Sequence, residues 1–161
     1  MFIDSHCHLD RVDLSPYSND IDEYLAATRA DSLDHMLCVS INLEDYPAMR
    51  DLVANQSKIS ISVGVHPNEK EGHDPSVQEL IDLALRDKVV AIGETGLDYA
   101  RLDEDADADI DCQQRRFRHH IAAARTINKP IIIHTRDAQD DTISIMQEES
   151  AGETGGVMHC F

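Results

Sequence analysis

Short, mostly apolar segments alternate with longer amphipathic ones along the whole chain, and this alternation constrains the fold more than any other feature of the sequence. Strands are expected at 1–4, 35–40, 59–65, 89–93, 130–133 and 156–158. The runs VVAI and PIII are unbroken, as in parallel strands covered on both faces, whereas ISISV alternates. Between the strands, helical spacing links Ile21, Tyr24, Leu25 and Thr28, then Met49, Leu52 and Val53, then Val77, Leu80, Ile81 and Ala84. It returns at Phe117, Ile121, Ala124 and Arg125, and at Ile143 and Met146. Asp137 suits the first turn of the last helix, where a carboxylate meets the positive end of the helix. A β-α-β-α order with no linker and no break in composition predicts an α/β fold in a single domain over residues 1–161. Six strands and five helices fall short of a (β/α)8 TIM barrel, which takes about 250 residues. The expectation is an incomplete barrel of six of its eight β/α units, truncated before the last two.

Composition narrows the function classes. With 31 acidic and 14 basic residues the formal charge is -17. That excludes a broad basic surface that binds nucleic acid by neutralising phosphates, but not an enzyme that meets phosphate through bound cations. The densest acidic stretch, DEDADADID at 103–111, lacks the central glycine and closing glutamate of a calcium loop and reads as a solvated loop. Cys7, Cys38, Cys112 and Cys160 form no CxxC pair and read as reduced thiols of a cytoplasmic protein. No run approaches the roughly 18 apolar residues of a membrane span. Asp4, Ser5 and His6 interrupt any leader-like run. Neither membrane association nor a stable protein partner is expected.

The chemistry-bearing residues recur at the ends of strands. His6 and His8 are two apart, so on an extended chain both rings point to one face, just after the first strand. Glu94 follows VVAIG, His134 follows PIII and His159 follows GGVM. A carboxylate after an apolar run is hard to explain as packing, because an unpaired buried carboxylate costs several kcal/mol. Five metal-type residues at strand C-termini, where barrel active sites lie, point to a metal centre. His66 ends the third strand before Pro67 and is a candidate phosphate or water contact, or a cap. Arg136 can fork onto a phosphate or pair with a neighbouring Asp. Asp98 can orient a neighbouring side chain. His35, His73, His119 and His120 are expected to carry no chemistry.

The segments FIDSHCHLD, SVGVHP, IGETGLDY, KPIIIHTRDA and GVMHCF, in this order and spacing, resemble the TatD family of metal-dependent deoxyribonucleases in the amidohydrolase superfamily. The resemblance runs from Phe2 to Phe161. It implies a TIM barrel with two divalent metal ions at its C-terminal mouth, one on His6 and His8, the other on His134 and His159, bridged by Glu94. Many amidohydrolase relatives bridge with a carboxylated lysine instead, but the nearby Lys88 precedes the fourth strand. The implied activity is 3′ to 5′ hydrolysis at DNA 3′ ends by metal-activated water, with Glu94, His66 and Arg136 as the catalytic set. Similar sequences are associated with deacylating misacylated tRNA, so a D-aminoacyl-tRNA deacylase-like esterase is the alternative. The resemblance implies magnesium, whereas four imidazoles and one carboxylate suit zinc or manganese better. The family's final ligand, an Asp in a Thr-Asp-Ser/Ala-Pro-like stretch after the eighth strand, has no counterpart here. Its absence makes an inactive metal-binding fragment the third reading. Ala100 and Leu102 stand where the family tends to carry aromatic residues.

Overall fold

The computed structural model describes residues 1–30, 32–102 and 105–160. Six strands, β1 (Phe2–Cys7), β2 (Leu33–Cys38), β3 (Ile59–Val63), β4 (Val89–Asp98), β5 (Ile131–Arg136) and β6 (Gly156–His159), form one sheet. Every neighbouring pair is parallel and consecutive in sequence, and the sheet curls into a half-barrel. Helices α1 (Ile21–Ala30), α2 (Tyr46–Leu52), α3 (Val77–Ala84), α4 (Ala106–Ile127) and α5 (Gln139–Glu148) follow β1 to β5 in turn. The expected incomplete TIM barrel is the observed fold.

The core lies where the periodicity put it. Ile61, Val63, Ile92, Ile131 and Ile133 of the central strands pack with Phe117 and Ile121 of α4 and with Met49 of α2. Local chemistry sets the helix ends. The Ser76 hydroxyl accepts from the Glu79 N–H to start α3. Asn128, in the left-handed conformation, closes α4, which suits a short polar side chain at that position.

Two expectations are corrected. The acidic run does not form a loop throughout. Asp105 caps α4 by accepting from the Ala108 N–H, and Asp107 and Asp109 occupy the first turn, where negative charge stabilises the helix terminus. Asp103 and Glu104 of that run, like Phe161 of the last motif, lie outside the described residues. Asp137 does not enter the first turn of α5, because its φ of 53° makes the left-handed turn that precedes that helix.

At the start of β4 and β5 the same device appears twice. Lys88 Nζ donates to the carbonyls of Val53 and Gln56 (2.6 and 2.5 Å), and Lys129 Nζ to those of Ala84 and Val89 (both 2.5 Å). Each lysine satisfies backbone acceptors that helix ends and strand starts leave open, and Lys88 is thereby committed away from the ligand residues. Among the described residues, no helix is long and apolar enough to cross a membrane.

Candidate metal centre

The site is built outward from β4. Gly93 and Gly96 flank the Glu94–Thr95 pair with φ of +136° and +131°. A Cβ on Gly96 would lie 2.0 Å from the His134 carbonyl oxygen, and one on Gly93 2.6 Å from that of Ile132. Only glycine lets β4 run this close to β5 with this backbone. The register steps from Ile92↔Ile131 to Thr95↔Ile133, an extra residue on β4 at Gly93–Glu94. Ser62 Oγ donates to the Gly93 carbonyl (2.5 Å), and the Glu94 N–H donates to the Ser40 carbonyl (3.1 Å). In β1 the register likewise steps from Asp4↔Met36 to Cys7↔Cys38, with His6 in the irregular interval. Bulges re-aim side chains, and both of these sit beside a candidate ligand.

Glu94 is 3% exposed and holds the centre. Its Oε2 lies 3.2 Å from His6 Nε2, and its Oε1 lies 3.3 Å from His134 Nδ1 and 3.9 Å from His159 Nε2. Burial pushes the Glu94 carboxyl up, but the imidazoles around it, His134 first and then His6 and His66, outweigh it and hold the group well below the usual carboxylate range. His6 Nε2 is buried with no aligned hydrogen-bond partner despite its short distance to Oε2. Nitrogen and oxygen therefore converge on shared space rather than on each other, as ligands of one cation do. The donor set fits a divalent metal on that ground. Among the described residues, the metal-type donor atoms that lie within 4.8 Å of one another form two groups, His6–Glu94–His159 and His66–Glu94–His134. The resemblance groups the histidines differently, with His6 beside His8 and His134 beside His159.

Each histidine has its own support. His8 stands just beyond β1, its ring centroid 5.2 Å from that of His6 at an interplanar angle of 82°. Its Nδ1–H donates to the Val39 carbonyl (2.9 Å), leaving a lone pair on Nε2. The His159 ring stacks on His6, with centroids 3.7 Å apart and planes 10° from parallel. Burial, followed by the His6 charge, lowers the His159 pKa. On β5, His134 Nε2–H donates to Asp98 Oδ2 (3.1 Å), which directs Nδ1 toward Glu94. Burial opposes charge on His134, yet Glu94 and then Asp98 raise its pKa. Strands β4 and β5 do not end at their ligands as expected but run on to Asp98 and Arg136, which pair in register.

His66 behaves differently. Its Nδ1 accepts the Asn68 N–H (3.1 Å), so the proton of the neutral ring sits on Nε2, 3.3 Å from His134 Nδ1. Burial lowers its pKa to about 4. These groups, with Arg136, line one cleft of about 570 Å³.

A profile of the TatD related DNase family matches residues 3–161. The chain belongs to the TatD family. YcfH of Escherichia coli (strain K12), named an uncharacterized metal-dependent hydrolase, is 44% identical over 160 residues, 99% of this chain and 58% of that protein. The 3′-5′ ssDNA/RNA exonuclease TatD of Klebsiella pneumoniae (strain 342) is 32% identical over 148 residues, 91% of this chain and 55% of that one. The crystal structure of YJJV, a TatD homolog from Escherichia coli K12, superposes with a TM-score of 0.83 at 28% identity, over 99% of this chain and 60% of that chain. The chain thus spans 58% of the length of its YcfH relative.

Several supporting residues outside the candidate set were not anticipated from the sequence. Asn68 Nδ2 donates to Asp98 Oδ2 (2.7 Å), and Gln113 of α4 clamps the Asp98 backbone, accepting its N–H (2.8 Å) and donating to its carbonyl (3.3 Å). Gln113 did carry a signal, a polar residue one helical turn before Phe117 on the buried face of α4. Asn68 and Ser62 carried none, since their partners lie 30 and 31 residues away.

Proposed function

We propose that this chain holds two divalent cations and hydrolyses phosphodiester bonds at the 3′ ends of DNA. The observation that carries this reading is the Glu94 carboxylate, buried between β1 and β5 partners with one oxygen toward His6 and the other toward His134. A carboxylate presented to imidazoles through both oxygens is what a bridge between two cations requires. His6, His8 and Glu94 would hold one ion and His134, His159 and Glu94 the other. Bound there, the ions would supply an activated water and neutralise phosphate charge. The imidazole-rich set favours zinc or manganese over magnesium.

The remaining roles follow from hydrogen placement. His66, neutral with its proton on Nε2, offers a donor to a substrate oxygen rather than a lone pair to a metal. Arg136 at the end of β5 offers a two-pronged donor to the scissile phosphate. Proton acceptance from the attacking water is assigned, by the family resemblance, to an Asp after an eighth strand.

The deciding experiment compares a 5′-labelled oligonucleotide with a D-aminoacyl-tRNA as substrates. The protein is assayed alone and joined to the C-terminal segment of YcfH, each loaded with manganese, zinc or magnesium. Stepwise shortening from the 3′ end, larger by orders of magnitude in the joined form, is expected. Deacylation without shortening would replace the nuclease reading by the esterase one.

A further inference from the structure

The arginines of this acidic protein are mostly spent on carboxylates. Arg11 pairs with Asp45, Arg50 with Asp51, Arg115 and Arg116 with Asp74, Arg118 with Glu148 and Glu149, and Arg125 with Glu153. Two arginines of the metal-centre cleft break that pattern. Among the described residues, the guanidinium groups of Arg101 and Arg136 have no hydrogen-bond or ion-pair partner, and both line the cleft that holds Glu94. They rise from adjacent strands, since Arg136 pairs in register with Asp98, three residues before Arg101.

The turn that bears Arg101 is fastened at several points although its guanidinium is free. The Asp98 carboxylate accepts the Ala100 N–H (3.1 Å). The Tyr99 hydroxyl donates to Asp141 (2.8 Å) and accepts from Gln114 (2.9 Å). Lys70 Nζ donates to the Arg101 carbonyl (3.2 Å). A cation held on a fixed backbone, left unpaired in a chain of formal charge -17, is placed for an anion that arrives from outside. Its side chain is exposed, as is that of Arg136, whereas Glu94 and His134 are buried. Arg136 stands two residues past His134 on β5, and Arg101 seven residues past Glu94 on the turn beyond β4. One phosphate held beside Glu94 and Arg136 therefore leaves Arg101 for a second phosphate of the substrate.

We infer that Arg101 is a specificity-determining residue that binds the phosphate next to the one being cleaved, so that the site selects oligonucleotides over single phosphodiesters. The inference rests on the phosphodiesterase reading, and its test separates the two. Binding of a fluorescein-labelled phosphorothioate oligothymidylate, which resists hydrolysis, is followed by anisotropy with the manganese-loaded protein, and inorganic phosphate is used as a competitor. Arg101→Ala is expected to weaken oligonucleotide binding about tenfold and to lower the salt slope by about 0.7, the value for one phosphate contact on a single strand. Competition by inorganic phosphate should change by less than about twofold, because a single anion held beside Glu94 and Arg136 does not need Arg101. Arg101→Lys should restore part of the affinity, and Arg101→Glu should lose more than the alanine variant. Unchanged oligonucleotide binding in both Ala and Glu variants would overturn the role of Arg101 and leave the phosphodiesterase reading standing. Failure of the unmodified protein to bind the oligonucleotide at all would overturn both. Equal loss for oligonucleotide and inorganic phosphate would place Arg101 on the scissile phosphate and overturn the two-phosphate selection.

Discussion

Glu94 and His134 stand on strands paired along both sides, whereas His6 and His159 stand on β1 and β6, each paired on one side only among the described residues. The central pair is 3% and 6% exposed and tied to Asp98, Ser40 and Gln113 through side chains and backbone. The flanking pair is held by ring stacking and by the approach to Glu94, and the His159 side chain is 42% exposed. Apolar side chains follow the same division, with Phe2, Ile3 and Val157 exposed on the outer strands while Ile92, Ile131 and Ile133 are buried. The centre is preorganised and the flanks are carried by it. Preorganised ligands bind a metal without first paying to be ordered.

Removing the hinge of this arrangement should have the largest effect. Glu94→Ala is expected to abolish both calorimetric metal-binding events, because the proposed reading has one carboxylate serve both ions. Two unchanged events in that variant would end the bridging assignment.

Next comes the backbone that lets β4 approach β5. Gly96→Ala should destabilise the fold by about 3 kcal/mol or more, from the left-handed φ combined with collision with the His134 carbonyl. Gly152→Ala, with nothing within 4 Å of the added Cβ, should stay within about 0.5 kcal/mol of the parent. Chemical denaturation of the metal-free proteins reads both, and similar losses at the two positions would deny the centre its special status.

The centre also depends on α4 through His120, fully buried, whose Nε2 accepts the Val65 N–H (3.0 Å) and whose Nδ1–H donates to the Arg116 carbonyl (2.8 Å). Burial lowers its pKa from 6.5 to about 4. Between those values the unfolded chain binds the proton and the folded chain does not, so stability falls as pH drops from 6.5 toward 4. At about 1.4 kcal/mol per unit, this residue alone accounts for about 3 kcal/mol across the window. His120→Gln, neutral at every pH, should flatten the stability profile of the metal-free protein by about that amount. An unchanged slope would show that His120 is already protonated in the fold.

The smallest difference separates the two sides of the candidate metal centre. His134→Ala is expected to weaken metal binding about tenfold more than His159→Ala, since His134 is buried and fixed by Asp98 whereas the His159 side chain is half-exposed. Equal losses would mean that metal binding orders the flank as fully as the centre, and hydrogen exchange of β6 with and without metal would then show the gain.

The sequence by itself determined the order of strands and helices, because apolar periodicity is a local property and each unit buries its own face. It also marked His6, His8, Glu94, His134 and His159, since a polar residue ending an apolar run stands out in one dimension. The helical start within the acidic run is equally local, but the same charged residues suit a solvated loop and a capped helix N-terminus alike, and the structure has the latter. Tertiary structure alone decided which ligand atoms meet. The bulges at Glu94 and near His6 depend on register between strands, and register is fixed by pairing partners far away in the chain. The same holds for the His66 tautomer, for the Asp98–His134 bond and for the free guanidinium of Arg101. Each depends on which neighbour claims a hydrogen-bonding group or leaves it unclaimed, and that is settled only when the sheet brings distant segments together.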